Sequence, residues 1–272
     1  MRTGLVVAIV ALSTGSSFGQ LIAGNDQTSP LREIWHVNVS NGAKTLLYQG
    51  GTEANAWGMA YDPLSNTLYW NNGGSLYKSP FSMAGLTPTL IGGLNVGGTS
   101  ANVTGMAFDT VNNKLLGYRS VTTPGFYEIA VGSAAMSLVA ATPASTDFGG
   151  FDYDVATNTF YALNDGTGLS GRGLYKIGNM YTVPNYALLA AYPGTDTDVD
   201  GLGVGGGFAY MVNDTNTQPI YVYDLIANAY APNLPNPFSG TNGIFSAGAW
   251  VPEPATIGLV IAGAVIGLRR RK

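Results

Sequence analysis

Short segments in which apolar side chains alternate with small or polar ones recur along the chain, about 42 to 51 residues apart. The clearest copies are GMAYD at 58–62, GMAFD at 105–109 and GFDYD at 150–154, with looser copies at 201–205 and 243–247. Each of the first three copies is followed by a turn that ends in Asn and by a second apolar stretch. An alternation with a period of two residues is typical of β-strands, so each pair of stretches predicts a β-hairpin.

Each unit continues with further short stretches of the same kind. Third stretches lie at 75–78, 125–129, 173–177 and 220–224, and fourth stretches lie at 89–91 and 187–190. Four short strands in a unit of about 45 residues form one blade of a β-propeller. No segment with a helical period competes within this part of the chain. The predicted fold class is therefore all-β, a β-propeller with five blades, or six as the alternative.

The two ends of the repeat region predict how the ring of blades closes. The stretches 33–37 and 45–48 resemble third and fourth strands that lack their first two. The last repeat, 243–250, is expected to supply the missing strands in one composite blade. Such closure removes free sheet edges, which otherwise favour aggregation.

The amino-terminal segment has the pattern of a secretory signal peptide. Arg2 provides a positive charge, 5–12 form an apolar core, and small residues follow. Ser17 and Gly19 are the small residues expected at the cleavage site, so the mature chain is predicted to begin at Gln20. We also expect the signal segment to be helical.

The carboxyl-terminal segment contains an apolar run of about fourteen residues, 255–268, and a basic cluster. As a helix this run is roughly 21 Å long, shorter than a bilayer core of about 30 Å. It is predicted to hold in the membrane only transiently, with its basic end on the cytoplasmic side. An ordinary tail anchor and a buried core helix are the alternatives. The predicted divisions are a signal peptide at 1–19, a propeller domain at 20–250 and a sorting or transmembrane segment at 251–272.

Composition narrows the function classes. Charged residues make up 10% of the chain, the formal net charge is -4 and cysteine is absent. Apart from the terminal cluster no basic run is present to neutralise phosphates, so nucleic acid is not an expected partner. The absence of cysteine excludes disulfides and thiol catalysis.

Two motifs flank the carboxyl-terminal apolar run. They are Val251, Pro252, Glu253 and Pro254 before it, and Arg269, Arg270, Arg271 and Lys272 after it. This order resembles the PEP-CTERM sorting signal of bacterial exported proteins, a motif also named the ice-binding protein C-terminal domain, which here implies no binding of ice. The resemblance implies that signal peptidase and a membrane-embedded exosortase process the chain. It also implies a final location in the cell envelope or outside the cell, with membrane association before the carboxyl-terminal cut.

A second resemblance concerns the repeats. The stretch 62–70, DPLSNTLYW, is similar to the hairpins of YWTD and NHL-type propellers. The likeness covers only the pattern of the repeat, since the Thr-Asp that follows Tyr-Trp in the YWTD family is Asn71 and Asn72 here.

The acids at the repeated position, Asp62, Asp109 and Asp154, invite two interpretations. A ring of carboxylates from different blades is the arrangement of some glycosidases. A residue that recurs in three blades is more simply a turn former whose carboxylate accepts backbone N–H groups. We favour the second interpretation, and we extend it to the turn residues that tolerate a left-handed backbone, Asn66, Asn113 and Asn158.

One local cluster has the spacing of a metal site. Asp196, Asp198 and Asp200 alternate ahead of Gly201, so their carboxylates can converge on calcium. The pattern is half of an EF-hand loop, since the twelfth position is Gly207. An acidic turn is the favoured alternative, and no other cofactor is expected.

The remaining candidates for chemistry are few. His36 is the only histidine, so a histidine-rich metal site is excluded. The aromatic residues of the repeats are expected in the core and not on a sugar-binding surface; they are Trp57, Tyr69, Trp70, Tyr118 and Tyr161.

Three functions are consistent with these sequence features. The first is an exported, surface-sorted, non-catalytic propeller that binds or scaffolds extracellular material, polysaccharide above all. The second is a glycan hydrolase or lyase, which needs two unrepeated acids in one pocket about 5 to 9 Å apart. The acids available for it are Glu53, Glu128, Asp152 and Asp165. The third is a structural or adhesive surface protein that associates with itself.

Overall fold

Three antiparallel strands begin the part of the chain that the computed structural model describes, which comprises residues 19–25, 32–213, 217–238 and 245–252. They are β1 (Gln20–Asn25), β2 (Arg32–Asn38) and β3 (Lys44–Gly50). A 3₁₀ turn, Thr52–Ala54, follows and is the sole helical element among the described residues. The prediction of an all-β fold is confirmed.

Four sheets follow in chain order, one for each repeat. The first blade consists of β4 (Gly58–Asp62), β5 (Thr67–Asn71), β6 (Ser75–Pro80) and β7 (Thr89–Gly93). The second blade combines a short hairpin, β8 (Asn95–Val96) and β9 (Thr99–Ser100), with β10 (Met106–Asp109), β11 (Lys114–Arg119), β12 (Gly125–Ile129) and β13 (Ala135–Ala141). The third blade consists of β14 (Phe148–Asp154), β15 (Thr159–Asn164), β16 (Gly173–Gly178) and β17 (Asn185–Ala190). The fourth blade consists of β18 (Gly201–Gly205), β19 (Phe208–Val212), β20 (Tyr221–Asp224) and β21 (Ala229–Tyr230).

The last strand, β22 (Phe245–Val251), closes the ring. It pairs with β1 in antiparallel register, with Val251 opposite Gln20 and Gly248 opposite Ala23. The fifth blade therefore has the order β22-β1-β2-β3, and the prediction of five blades with a composite closure is confirmed. The expectation that the last repeat supplies two strands is wrong. It supplies only the innermost strand, because 20–25 form a second strand that carries no repeat motif.

The innermost strands β4, β10, β14, β18 and β22 contact one another in a closed cycle around the axis. Glycines allow this close approach: a Cβ added to Gly248 would lie 2.6 Å from the backbone nitrogen of Leu202, and one added to Gly105 would lie 2.8 Å from the carbonyl oxygen of Gly149. The middle of the channel consequently leaves no space for a water molecule.

The hydrophobic core lies between blades. Among the described residues, five clusters of buried apolar side chains each join two neighbouring blades. Tyr69 of the first blade, for example, stacks on Phe108 of the second with ring centroids 6.1 Å apart. A single blade buries too little surface alone, so the stacking of neighbours stabilises the ring. Four aromatic residues predicted in the core are buried there, namely Tyr69, Trp70, Tyr118 and Tyr161, while Trp57 is half-buried.

The predicted signal helix and carboxyl-terminal helix lie outside the described residues. Within the described ranges, no helix is long and apolar enough to cross a bilayer.

Candidate functional site

The axis has two ends of different chemistry. At one end, turns connect β4 to β5, β10 to β11 and β14 to β15; we call this the hairpin end. At the opposite end lie the residue after β15 and the segment before β18; we call this the acidic end. The sequence-predicted residues divide between the two ends.

At the hairpin end, the repeated acids act as turn formers. The Oδ1 atom of each accepts the backbone N–H two residues later: Asp62 from Leu64 at 2.8 Å, Asp109 from Val111 at 2.9 Å and Asp154 from Ala156 at 3.1 Å. The Asn residues of these turns have positive φ, 51° at Asn66, 55° at Asn113 and 51° at Asn158. Asn tolerates this left-handed conformation better than most residues. The interpretation of these residues as structural is confirmed.

A cavity of about 490 Å³ opens at the hairpin end, and every blade contributes to its wall. Its volume is in the range of small-molecule sites, and most of its lining is apolar or aromatic. The aromatic lining residues are Tyr61, Tyr153 and Trp250, and the polar ones include Thr110, Asn158, Asp152 and Asp154. The ring of Trp250 stacks on the ring of Tyr210, with centroids 5.2 Å apart and an interplanar angle of 2°.

Asp152 lies against this cavity and is 5% exposed. Its Oδ2 accepts the N–H groups of Val204 at 2.7 Å and Trp250 at 3.3 Å, and its Oδ1 accepts that of Tyr153 at 2.8 Å. Burial raises the pKa of Asp152 well above its usual range, although the three N–H donors oppose this shift. Because its partners belong to β14, β18 and β22, this carboxyl group connects three inner strands.

The other unrepeated acids lie away from the cavity. Glu53 accepts the hydroxyl of Tyr48 at 2.9 Å, Glu128 pairs with Lys114 at 2.5 Å, and Asp165 is at the acidic end. Of the four acids proposed for a glycan-cleaving site, the cavity lining therefore contains Asp152 alone.

His36 lies in β2, where burial lowers the pKa of its imidazole. Its Nδ1 atom is buried and meets no hydrogen-bond partner in the described structure.

At the acidic end, the structure regroups the residues of the predicted calcium motif. Asp198 and Asp200 come together with Asp165, and one carboxylate oxygen of each lies within 4.8 Å of the others. Asp196 is engaged elsewhere, since its Oδ2 accepts the hydroxyl of Tyr221 at 2.9 Å and the side-chain amide of Asn213. The alternating acids of the sequence indicate the loop that contains Asp198 and Asp200. They do not indicate Asp165, which belongs to the preceding blade and is not part of any metal-binding motif.

The electrostatics of the acidic end follow from this convergence. Burial and the neighbouring carboxylate of Asp200 raise the pKa of Asp165 to about 9. Burial and the carboxylate of Asp198 raise the pKa of Asp147, which belongs to the loop before β14. Carboxylates that share a site disfavour one another's ionisation, so Asp165 keeps its proton at neutral pH.

The predicted processing residues lie at the limits of the described chain. Val251 is the last residue of β22 and is buried, and Pro252 lines the cavity. Gly19 precedes β1 directly. Ser17, Glu253, Pro254 and the basic cluster 269–272 lie outside the described residues.

The fold and its two ends define the class of this protein as a five-bladed β-propeller. The sequence matches no protein-family model and no curated protein. Several solved structures are similar in fold. A chain of a nidogen/laminin complex aligns with a TM-score of 0.57 and 12% identity over 86% of this chain and 98% of that one. TolB from Acinetobacter baumannii aligns with a TM-score of 0.53 and 11% identity over 87% of this chain and 68% of that one. At these identities the likeness shows the fold alone.

Proposed function

We propose that this chain is an exported, surface-sorted and non-catalytic β-propeller that binds or scaffolds extracellular material, with polysaccharide as its ligand. The observation that carries the proposal is the cavity at the hairpin end, which combines aromatic rings, apolar walls and a few polar groups. This combination is typical of sites that bind small molecules.

Two features support export. Strand β1 begins at Gln20, the residue after the predicted signal cleavage. The last described strand ends at Val251, the first residue of the predicted sorting motif. Both predicted cuts therefore leave the five blades intact.

The residues that line the cavity support the binding of a sugar polymer. Planar aromatic side chains such as Trp250 offer a large, rigid contact area and a polar edge. Thr110 and Asn158 add groups that can accept or donate hydrogen bonds to hydroxyls. Few charged side chains are present in the chain as a whole, which suits a neutral, hydroxyl-rich ligand better than a polyanion.

A second candidate function is adhesion through a protein partner. Two apolar side chains at the mouth of the cavity are exposed to solvent, Leu64 at 57% and Val111 at 64%. Exposed apolar residues around a cavity favour contact with a protein. The chain similar to this one in the nidogen/laminin complex is itself part of a protein assembly.

A glycan-cleaving activity has less support. Asp152 and Asp154 both line the cavity, but their oxygens already accept hydrogen bonds from the backbone of inner strands and from the hairpin turn. An acid catalyst has to exchange its proton with the substrate, and these contacts occupy the carboxyl groups.

The ligand proposal is tested by affinity electrophoresis of the full chain in gels that contain alginate, dextran or xylan. We expect one of these polymers to retard the protein, and Leu64→Ala together with Val111→Ala to weaken the retardation about tenfold through lost contact area. Ile226→Ala is the matched control, because Ile226 occupies the same position in an Asp-capped turn and is 88% exposed, but does not line the cavity.

An unchanged mobility in all three polymers, combined with capture of a surface protein that Leu64→Ala abolishes, would favour adhesion. Release of reducing ends from any polymer would contradict the non-catalytic assignment.

The export proposal is tested by the intact mass of the protein recovered from its native host. We expect the loss of residues before about Gln20 and after about Pro254. A species in the membrane fraction that keeps Arg269 to Lys272 would instead indicate an ordinary tail anchor.

A further inference from the structure

The connections between strands at the hairpin end contain no charged residue. In each blade the innermost strand runs towards this end, the second strand runs away from it and the third returns, so the connection from the third to the fourth strand also lies here. The connections at this end are 39–43, 63–66, 81–88, 110–113, 130–134, 155–158, 179–184, 206–207 and 225–228. None of them contains Asp, Glu, Lys or Arg, so these turns present an uncharged surface.

The connections at the acidic end have the opposite character. Among the described residues, their charged side chains are those of Glu53, Asp147, Asp165, Arg172, Asp196, Asp198 and Asp200. Negative charge is therefore concentrated at one end of the axis and is missing from the turns of the other. A membrane that contains anionic lipid repels the acidic end but not the hairpin end.

Four blades each expose an apolar side chain at the hairpin end, in the connection from the third to the fourth strand. These residues, which we call the apolar tips, are Met83, Val131, Val183 and Ile226. They are 39%, 42%, 81% and 88% exposed, in that order. Exposed turns usually contain Gly, Pro, Asn, Asp or Ser, each for its effect on the backbone. The turns themselves therefore do not require these apolar side chains.

The apolar tips are part of a larger group on one face. Leu64 and Val111 are also exposed at the hairpin end, at the mouth of the cavity. Elsewhere in the described chain, the exposed large apolar residues lie on the fourth strands of blades, as Leu90 and Leu138 do, with Val121 at the acidic end. Scattered apolar residues are normal on a protein surface, whereas a group on one face indicates a contact.

The path of the chain brings an apolar part of the sequence next to this face. Strand β22 finishes at the hairpin end with Val251, and Pro252 lines the cavity. The apolar run 255–268 begins three residues after Pro252. Since a chain spans at most about 3.6 Å per residue, the run begins within roughly 11 Å of Pro252. This step rests on the proposed function, in which the run enters the membrane before the carboxyl-terminal cut; the hairpin end then lies beside the bilayer.

We propose that the hairpin end binds the surface of a phospholipid bilayer, with the apolar tips inserted among the lipids and the acidic end facing away. Tips from four blades give a broad contact, and no charged residue of these turns has to be buried. The mouth of the cavity, with Leu64 and Val111, faces the bilayer in this arrangement. The polymer of the proposed function therefore enters the cavity only after the chain has left the membrane.

The test uses single-cysteine variants of the full chain, since the sequence contains no cysteine of its own. Val183→Cys and Ile226→Cys attach a polarity-sensitive dye to two apolar tips. Leu90→Cys and Leu138→Cys are the matched controls, because these apolar residues are 59% and 47% exposed but lie away from the hairpin end. Each labelled protein is reconstituted with vesicles of phosphatidylethanolamine and phosphatidylglycerol, and circular dichroism shows whether it is folded.

The depth of each dye is measured by quenching with nitroxides attached to lipids at different depths. We expect blue-shifted emission and a depth of about 5 to 10 Å at positions 183 and 226, and emission typical of water at positions 90 and 138. A second measurement separates the tips from the dye itself. Val131→Asp together with Val183→Asp should remove the blue shift at position 226, because a carboxylate resists transfer out of water. Leu90→Asp together with Leu138→Asp should leave it unchanged.

The proposal is wrong if the full chain does not float with the vesicles, or if the dyes at all four positions report water. It is also wrong if the blue shift appears without vesicles as the protein concentration rises, since the face would then bind a second copy of the chain. Polymer binding is measured separately in the gels described above. Insertion of the tips without retardation by any polymer would remove the polysaccharide proposal alone, and retardation without insertion would remove the lipid proposal alone.

Discussion

The hairpin end and the acidic end of the axis both carry aspartates, but the surroundings of these aspartates differ. Asp62, Asp109 and Asp154 recur at one position of successive blades, and each accepts N–H groups of its own turn. Asp165, Asp198 and Asp200 do not recur, and they converge from two blades on one point. Here the acids that recur stabilise the turns of their own blades, whereas the acids of the acidic end depend on contact between two blades.

The largest expected effect comes from removing a recurring acid. Asp109→Ala leaves the N–H groups of Val111 and Asn112 and the hydroxyl of Tyr181 without their acceptor. We expect a loss of about 3 kcal/mol in the free energy of unfolding, measured by urea denaturation. Asp198→Ala is the matched control, because its carboxylate is exposed. It should change stability by less than about 0.5 kcal/mol. Equal losses in the two variants would remove the distinction between the two ends.

Asp152 is a second test of the comparison. It is an unrepeated acid at the hairpin end, yet its carboxyl group connects three inner strands. Its pKa is raised in the folded chain above the unfolded value of about 3.9. The stability from its protonated form is therefore complete below about pH 4, and is lost as the pH rises towards the folded pKa. The amide side chain of Asp152→Asn cannot ionise. Its NH₂ group replaces one oxygen, so it must face a backbone N–H group that it cannot accept. We expect it to cost about 2 kcal/mol at pH 4.

The measurement is urea unfolding of both proteins at several pH values from 4 upward. The stability of the unaltered chain should fall with pH more steeply than that of Asp152→Asn, so the gap between them narrows. A gap that widens with pH would mean that the three N–H donors outweigh burial and keep Asp152 ionised.

The blades could be predicted from the sequence because each hairpin carries its own signal. The Asp at the end of the inner strand, the Asn with positive φ and the alternating apolar positions are local features. They require no knowledge of the rest of the fold. For the same reason the role of the recurring acids could be predicted before their contacts were known.

Features that depend on distant partners could not be predicted in this way. Strand β1 has no turn motif, so its place between β22 and β2 depends on pairing with residues more than two hundred positions away. The β8–β9 hairpin has only two residues in each strand, turning at Gly97 and Gly98. In the sequence Asp165 is only an unrepeated acid, because its proximity to Asp200 arises from the packing of two blades.

The pairing of β22 with β1 sets the order in which the molecule can be completed. Among the described strands, the innermost strand of the fifth blade leaves the ribosome after all the others, while its three sheet partners precede the other four blades. Until residue 251 has been synthesised, β1 keeps an unpaired edge, and β4 and β18 each lack one neighbour. A nascent chain of this kind cannot close its ring before β22 has emerged, so the ring stays open to chaperones while the first four blades are synthesised.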